Sequence, residues 1–180
     1  SLGVSLKKSG TDILNAYILG YEIATRLGLQ ANGLLQSKGY HPTGVMGVFG
    51  CTVSACYLKG SNANQIENAL GIALSMSSGN MQFIDEGAWN KRLHPGWAGL
   101  SAIFASSFAE NEFVGPKLAF EGRFGLFKTL LGNDFDSSLK IFDDLGVKWR
   151  ILENAIKPYP ACHFNHAFAD CALELYEREN

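Results

Sequence analysis

The sequence predicts a mainly α protein, built as a helical bundle. Apolar residues recur at helical spacing in several segments, and capping residues or glycines stand at most of their ends. Twenty glycines accompany only five prolines, and many of these glycines lie in alanine- and serine-rich segments, which favours helices packed backbone to backbone. A chain of 180 residues, 47% of them hydrophobic, is long enough for one sizeable core.

The first predicted helix begins at Thr11 or Asp12 and ends at Gly28, because apolar residues between them recur at a spacing of 3.6. Residues 1–10 are polar and are expected to be loose. Residues 33–40 are expected to form a loop before the next helix.

A second helix is predicted to open at His41-Pro42-Thr43-Gly44 and to end at Gly60. It carries a stripe of small residues: Gly44, Gly47, Gly50, Cys51, Ser54 and Ala55. Each glycine inside a helix costs about 1 kcal/mol relative to alanine. The stripe therefore predicts that another helix crosses closely and that this helix is central.

Ser61 or Asn62 caps a third predicted helix. Residues 81–94 are expected to form a polar loop, and a fourth helix is expected from about Pro95 through Ala109.

The last third of the chain changes character. Short helices are predicted within 114–131 and 137–145, followed by a strand over 149–156, since the Lys157-Pro158 step disfavours helix. A final helix is predicted over 165–177.

Composition excludes several classes of protein. A charged fraction of 18% and a net charge of −2 exclude disorder and a long charged coiled coil, and give no basic excess for nucleic acid. No run of about 18 apolar residues exists, so no membrane partner is expected. The sequence shows no signal peptide, and none of its four cysteines forms a C-x-x-C pair. We interpret them as buried free thiols of a cytoplasmic protein.

Two basic sites could carry chemistry. Lys91-Arg92-Leu93-His94 stands directly before a predicted helix, where free amides and the helix dipole favour anions, although an ordinary solvated loop is equally compatible. His41, at the mouth of the glycine-striped helix, could be an acid, a base or an anion ligand, or simply a hydrogen-bonded core histidine or cap.

The C-terminal third offers two weaker candidates. A zinc site could draw on Cys162, His163 and His166 together with Cys171, but no second pair of ligands has the right spacing, so no metal is expected. Lys157, in the stiff Lys157-Pro158-Tyr159-Pro160 segment, could stand at a site entrance or belong to a turn.

Several motifs, in order along nearly the whole chain, resemble the MmgE/PrpD family. They are Ala16–Gly28, Gly39–Gly44, Gln65–Ala73, Lys91–Ala98, Phe120–Gly125 and Lys157–Cys162 with His166. The family includes 2-methylcitrate dehydratase, cis-aconitate decarboxylase and iminodisuccinate epimerase. The resemblance implies a large helical domain with a smaller α+β lid, a homodimer, and neither metal nor other cofactor.

The resemblance also implies a domain division and a site. Residues 1–148 would belong to the helical domain, and residues 149–180 would begin the lid, strand first and then helix. The chain would then be the middle of such an enzyme and inactive in isolation. The implied catalytic residues are Lys91 and Lys157, and the implied substrate-binding residues are His41, Arg92, His94 and Cys162.

The leading prediction is a lyase that dehydrates 2-methylcitrate or a similar di- or tricarboxylate. Cys162 favours dehydration, since members of the decarboxylase type carry histidine there. Decarboxylation and epimerisation stay open, as does a non-catalytic helical module for dimerisation. Convergence of Lys91, His94, Lys157 and His41 on one cleft would favour the enzyme.

Overall fold

The computed structural model describes residues 1–135 and 140–179, and these are predominantly helical. Their one β-type feature is an isolated antiparallel bridge between Tyr40 and Asn80. The predicted mainly α fold is therefore confirmed. None of the helices in the described ranges is both long and apolar enough to cross a membrane.

Six helices longer than one turn organise the described residues. They are α1 (Gly10–Gln30), α2 (Gly47–Lys59), α3 (Ala63–Leu74), α4 (Asn90–Glu110), α5 (Leu126–Leu131) and α6 (His166–Glu179). One-turn helices lie at Leu2–Ser5, Leu34–Ser37, Pro42–Val45 and Phe83–Glu86, and 3₁₀ helices at Gly132–Asp134, Arg150–Glu153 and His163–Asn165.

Helix α2 is central, as its small residues predict. It packs against α1, α3 and α4. The crossing with α1 is so close that a Cβ built at Gly20 would lie 2.6 Å from the carbonyl oxygen of Gly50. Gly60 ends the helix in the left-handed region at φ +75°, where glycine carries no Cβ penalty.

The helix starts follow side-chain caps more closely than the predicted boundaries. Ser9 caps α1 through a reciprocal pair of hydrogen bonds with Asp12, two residues before the earlier of the predicted caps, Thr11. Asn62 caps α3 as predicted. Helix α1 continues past Gly28 to Gln30, because burial of its inner face outweighs the cost of one glycine.

The fourth helix differs from its prediction in a way that matters for the site. It begins at Asn90 rather than near Pro95, so the basic cluster forms its first turn instead of a preceding loop. A proline inside a helix costs the backbone hydrogen bond that its missing N–H cannot make, and α4 continues through Pro95 despite this cost. Pro95 therefore lies inside α4 instead of opening it.

The strand predicted over 149–156 is wrong, since Arg150–Glu153 forms a 3₁₀ helix. Within the described ranges no neighbouring strand offers a ladder, and the Ile151 N–H instead donates to the Glu22 carboxylate at 3.2 Å. The helix predicted over 137–145 lies partly outside the described residues, and residues 141–147 form consecutive turns. The domain boundary near residue 148 stays a prediction.

A buried ionic cluster ties this C-terminal segment to α1. Arg26 is fully buried and donates from Nε to Glu22 at 2.7 Å. Its Nη1 donates to Asp144 at 2.5 Å, and its Nη2 donates to the carbonyl of Lys148. The hydrogen bond from Arg26 lowers the pKa of Asp144, and the charges of Arg26 and Arg150 add to this effect. Residues 144–151 are thus held by charge-assisted hydrogen bonds.

The cysteines are only partly as expected. Cys56 is buried and Cys51 is half-buried, and burial raises the pKa of both thiols. Cys162 and Cys171 are exposed, contrary to the prediction, because α6 lies on the surface of the described structure.

Candidate active site

The candidate site forms where residues 39–41 run beside residues 79–81. The N–H of His41 donates to the Gly79 carbonyl at 3.0 Å, and the N–H of Met81 donates to the Gly39 carbonyl at 2.8 Å. These backbone bonds fix His41 at the start of the Pro42–Val45 turn. The imidazole is therefore attached to ordered backbone rather than to a free loop.

His94 reaches the same point from the first turns of α4, and two glycines make room for it. A Cβ at Gly79 would lie 3.3 Å from two atoms of the imidazole ring, and one at Gly44 would lie 2.4 Å from the Ser78 carbonyl oxygen. Gly79 also has φ +134°, which other residues rarely adopt. The role of Gly79 at the site was not predicted.

The two imidazoles contact each other directly. The Nδ1 atoms of His41 and His94 lie 2.7 Å apart, a hydrogen-bond distance. Phe83 presents its ring edge-on to both, with centroids 5.2 Å and 5.8 Å away. One Nδ1 must donate while the other accepts, so the facing nitrogens share one proton. Phe83 was not among the predicted site residues, since one aromatic residue in a polar segment carries no distinctive signal.

The surroundings disfavour a positive charge on His41. Burial lowers its pKa below the ordinary value of 6.5, and the nearby charges of His94 and Lys91 lower it further. His41 is therefore neutral near pH 7 and able to accept a proton.

Lys91 and Arg92 supply positive charge at the start of α4. Both are exposed, and both line a cavity of about 320 Å³ together with Phe83 and Trp89. The Arg92 guanidinium lies 5.1 Å from the centre of a Trp89 ring. Among the described residues no side chain caps this helix start. Two cations beside uncapped amides suit a carboxylate.

A larger cavity elsewhere has different chemistry. It measures about 630 Å³ and lies between α1, α2, α3 and residues 142–149. Its lining is mostly apolar, and among the described residues that line it Glu22 alone is charged and is already paired with Arg26. The described lining therefore offers no cation to a carboxylate.

The remaining predicted site residues lie apart. Lys157 is exposed and donates from Nζ to the Ala161 carbonyl at 3.2 Å, and Cys162 is exposed. Among the described residues, neither of these side chains contacts the histidine pair. Lys91, His94 and His41 thus converge and Lys157 does not, so the roles of Lys157 and Cys162 stay predictions.

Within the described residues, the candidate zinc ligands of the C-terminal third form only a pair of stacked histidines. His163 and His166 stack at 4.7 Å between ring centroids, and Tyr159 contacts His166 edge-on. Across residues 1–135 and 140–179, no group of three or more histidine, cysteine or acidic side chains is arranged to hold a metal ion.

Comparison with known proteins adds two findings. The chain is 29% identical over 176 residues to a cis-aconitate decarboxylase-like protein, oryM, of Aspergillus oryzae, and 27% identical to a cis-aconitate decarboxylase of Aspergillus terreus. Each alignment covers 94% of this chain and 36% of the relative, so the chain spans about a third of these relatives' length.

The second finding concerns the helical part that carries the site. The profile of the MmgE/PrpD N-terminal domain matches residues 1–138, which include α1 to α5 and both site histidines. That match covers well over half of the sequence and agrees with the helical fold, and so the chain belongs to the MmgE/PrpD family.

Proposed function

We propose that this chain contributes to a carbon–oxygen lyase that dehydrates 2-methylcitrate or a similar di- or tricarboxylate. The observation that carries the proposal is the His41–His94 pair beside Lys91 and Arg92 at the uncapped start of α4. It combines a proton acceptor with positive charge, which are the two requirements of the reaction.

In this mechanism, Lys91 and Arg92 attract the carboxylates of the substrate. The histidine pair accepts the proton from the carbon next to one carboxylate, and the C–H electron pair becomes the new C=C bond. The C–O bond breaks, and the hydroxyl takes a proton from solvent and leaves as water. The histidine pair afterwards returns its proton to solvent. Negative charge that builds up on the carboxylate is stabilised by the two cations and the helix dipole.

Decarboxylation is the second candidate, since two of the relatives named above are called cis-aconitate decarboxylase or its like. In that reaction a C–C bond breaks, CO₂ leaves, and the remaining electron pair takes a proton from the same histidine pair. At 27–29% identity the substrates of these relatives do not transfer automatically. The homodimer implied by the family resemblance likewise stays a prediction.

The test uses the full-length gene product with 2-methylcitrate, citrate and cis-aconitate. Ultraviolet absorbance follows the unsaturated acid, and released CO₂ is measured in parallel. Rising absorbance from 2-methylcitrate without CO₂ supports dehydration, and CO₂ from cis-aconitate supports decarboxylation. We expect Lys91→Ala to lower kcat/KM at least about 100-fold, whereas Lys117→Ala, an exposed lysine beside Glu67, leaves it unchanged. No turnover of any of the three acids would contradict both candidates.

A further inference from the structure

We propose that His94 is a positioning residue that works with His41 as one proton-holding unit and fixes the ring and tautomer of His41. The proposal rests on the proposed function, because it assigns the proton transfer to His41. His94 is 8% exposed, whereas His41 is half-buried, so the His41 ring is the more accessible of the two to a bound molecule. His94 therefore acts through His41 rather than on the substrate.

The shared proton is the basis of this role. With the two Nδ1 atoms 2.7 Å apart, one ring carries hydrogen on Nδ1 and the other has a lone pair there. When the outer Nε2 of one ring gains a proton, the shared proton can shift to the other ring. A second proton would put two N–H groups face to face and break the contact.

The surrounding geometry holds this arrangement in place. The backbone bond from His41 to Gly79 fixes one ring's attachment, and Gly44 and Gly79 leave space for the other ring. Phe83 contacts both rings at its edge. These contacts leave little freedom for either imidazole to rotate, so loss of one ring frees the other.

Charged groups near the pair are mainly cationic. Lys91 and Arg92 stand on the same first turn of α4 as His94, and the charge of Lys91 acts on His41. The Phe83–Glu86 turn carries two exposed acids, Asp85 and Glu86, and Glu86 accepts a hydrogen bond from Gln82. In the described part of the chain, no carboxylate pairs with either imidazole. His94 thus occupies the position that a carboxylate holds beside the histidine of a catalytic triad.

The first experiment records the ring-nitrogen NMR signals of the full-length gene product, labelled with ¹⁵N at histidine, at a pH where both rings are neutral. We expect complementary tautomers, with hydrogen on Nδ1 in one of the two rings and on Nε2 in the other. His41→Asn and His94→Asn assign the signals. Hydrogen on Nε2 in both rings, the arrangement usual in water, would overturn the proposal.

The second experiment compares His94→Leu, which cannot hydrogen-bond, with His94→Asn, whose amide can donate or accept near the Nδ1 position. We expect His94→Leu to lower kcat about 10- to 100-fold while KM stays within about twofold. The acid limb of the kcat profile should move up towards pH 6.5, because the charge of His94 no longer opposes protonation of His41. His94→Asn should recover at least about tenfold of the loss in kcat.

Leu93→Ala is the matched control, since Leu93 is the exposed neighbour of His94 on α4. An unchanged kcat and acid limb in a folded His94→Leu protein would overturn the positioning role, as would a folded His94→Asn protein with no recovery. The NMR readout needs no substrate. If the NMR signals show complementary tautomers but the enzyme turns over none of the acids, only the proposed function is contradicted. If the enzyme turns over an acid but both rings carry hydrogen on Nε2, only the role of His94 is contradicted.

Discussion

Residues 1–135 and residues 140–179 use their apolar side chains in opposite ways. In the first region, side chains such as Phe49 and Val48 on α2 are fully buried by the surrounding helices. In the second region, Ile156 is 89% exposed and Phe168, on α6, is 76% exposed. Both regions contain amphipathic helices. The difference teaches that periodicity is enough to predict a helix, while burial requires a second surface that fits it.

Buried charge joins residues 144–151 to α1, and this makes Arg26 a sensitive point. Arg26→Met should lower the free energy of unfolding by about 3–5 kcal/mol, because it leaves the buried Glu22 carboxylate without its partner. Chemical denaturation followed by circular dichroism measures the loss. Hydrogen exchange should also become faster at residues 144–151 than in α2.

A double variant separates the effect of the two buried charges from that of the hydrogen bonds from Arg26 to Asp144 and the Lys148 carbonyl. Glu22→Leu with Arg26→Met removes both buried charges, so its cost should be smaller than that of Arg26→Met alone. An equal or larger cost would mean that the hydrogen bonds to Asp144 and the Lys148 carbonyl, rather than the buried ion pair, hold the two regions together.

A single methyl group added at the crossing of α1 and α2 should destabilise the packed region, residues 1–135. Gly50→Ala brings a Cβ to 2.4 Å from the carbonyl oxygen of Gly20, so the helices must separate. We expect a loss of about 1–3 kcal/mol in the free energy of unfolding. Gly99→Ala on α4 is the matched control, since its Cβ meets nothing within 4 Å, and it should stabilise the protein by about 0.5–1 kcal/mol. Equal effects at the two positions would contradict the close crossing.

The smallest change in the free energy of unfolding is expected for an exposed apolar side chain of residues 140–179. Phe168→Ala should change the free energy of unfolding of this chain by less than about 0.5 kcal/mol, because the side chain is largely in solvent. Phe49→Ala removes a fully buried side chain and should lower the free energy of unfolding by about 3–5 kcal/mol, which is the reference for the effect at Phe168. A cost above about 1 kcal/mol at Phe168 would show that α6 packs in solution and would remove the contrast between the regions.

Much of the helical layout was predictable because its signals are local. Gly60 and Asn62 mark the end of α2 and the start of α3, since each satisfies backbone groups within a few residues. The small-residue stripe of α2 is also a local signal, and it predicted a central helix because small side chains let another helix approach closely. The start of α4 was misjudged because Pro95 looked like an opening residue although the helix had already begun at Asn90.

The candidate site was predictable only in part. The sequence singled out His41, Lys91, Arg92 and His94 by residue type and context. It could not tell that His41 and His94 touch, since they are 53 positions apart and meet only through the approach of residues 39–41 to residues 79–81. The strand expected near Trp149 failed for a related reason, because a strand depends on a partner that local sequence does not reveal.

By itself, the sequence determined the mainly α class, the helix boundary at Gly60 and Asn62, the central helix and the family motifs, because caps, glycines and apolar spacing act over a few residues. Tertiary structure alone decided three other features: the contact between the Nδ1 atoms of His41 and His94, the burial of Arg26 with Glu22, and the exposure of α6. Each of these depends on which distant surfaces meet, and the free energy of such contacts is not encoded in any short segment.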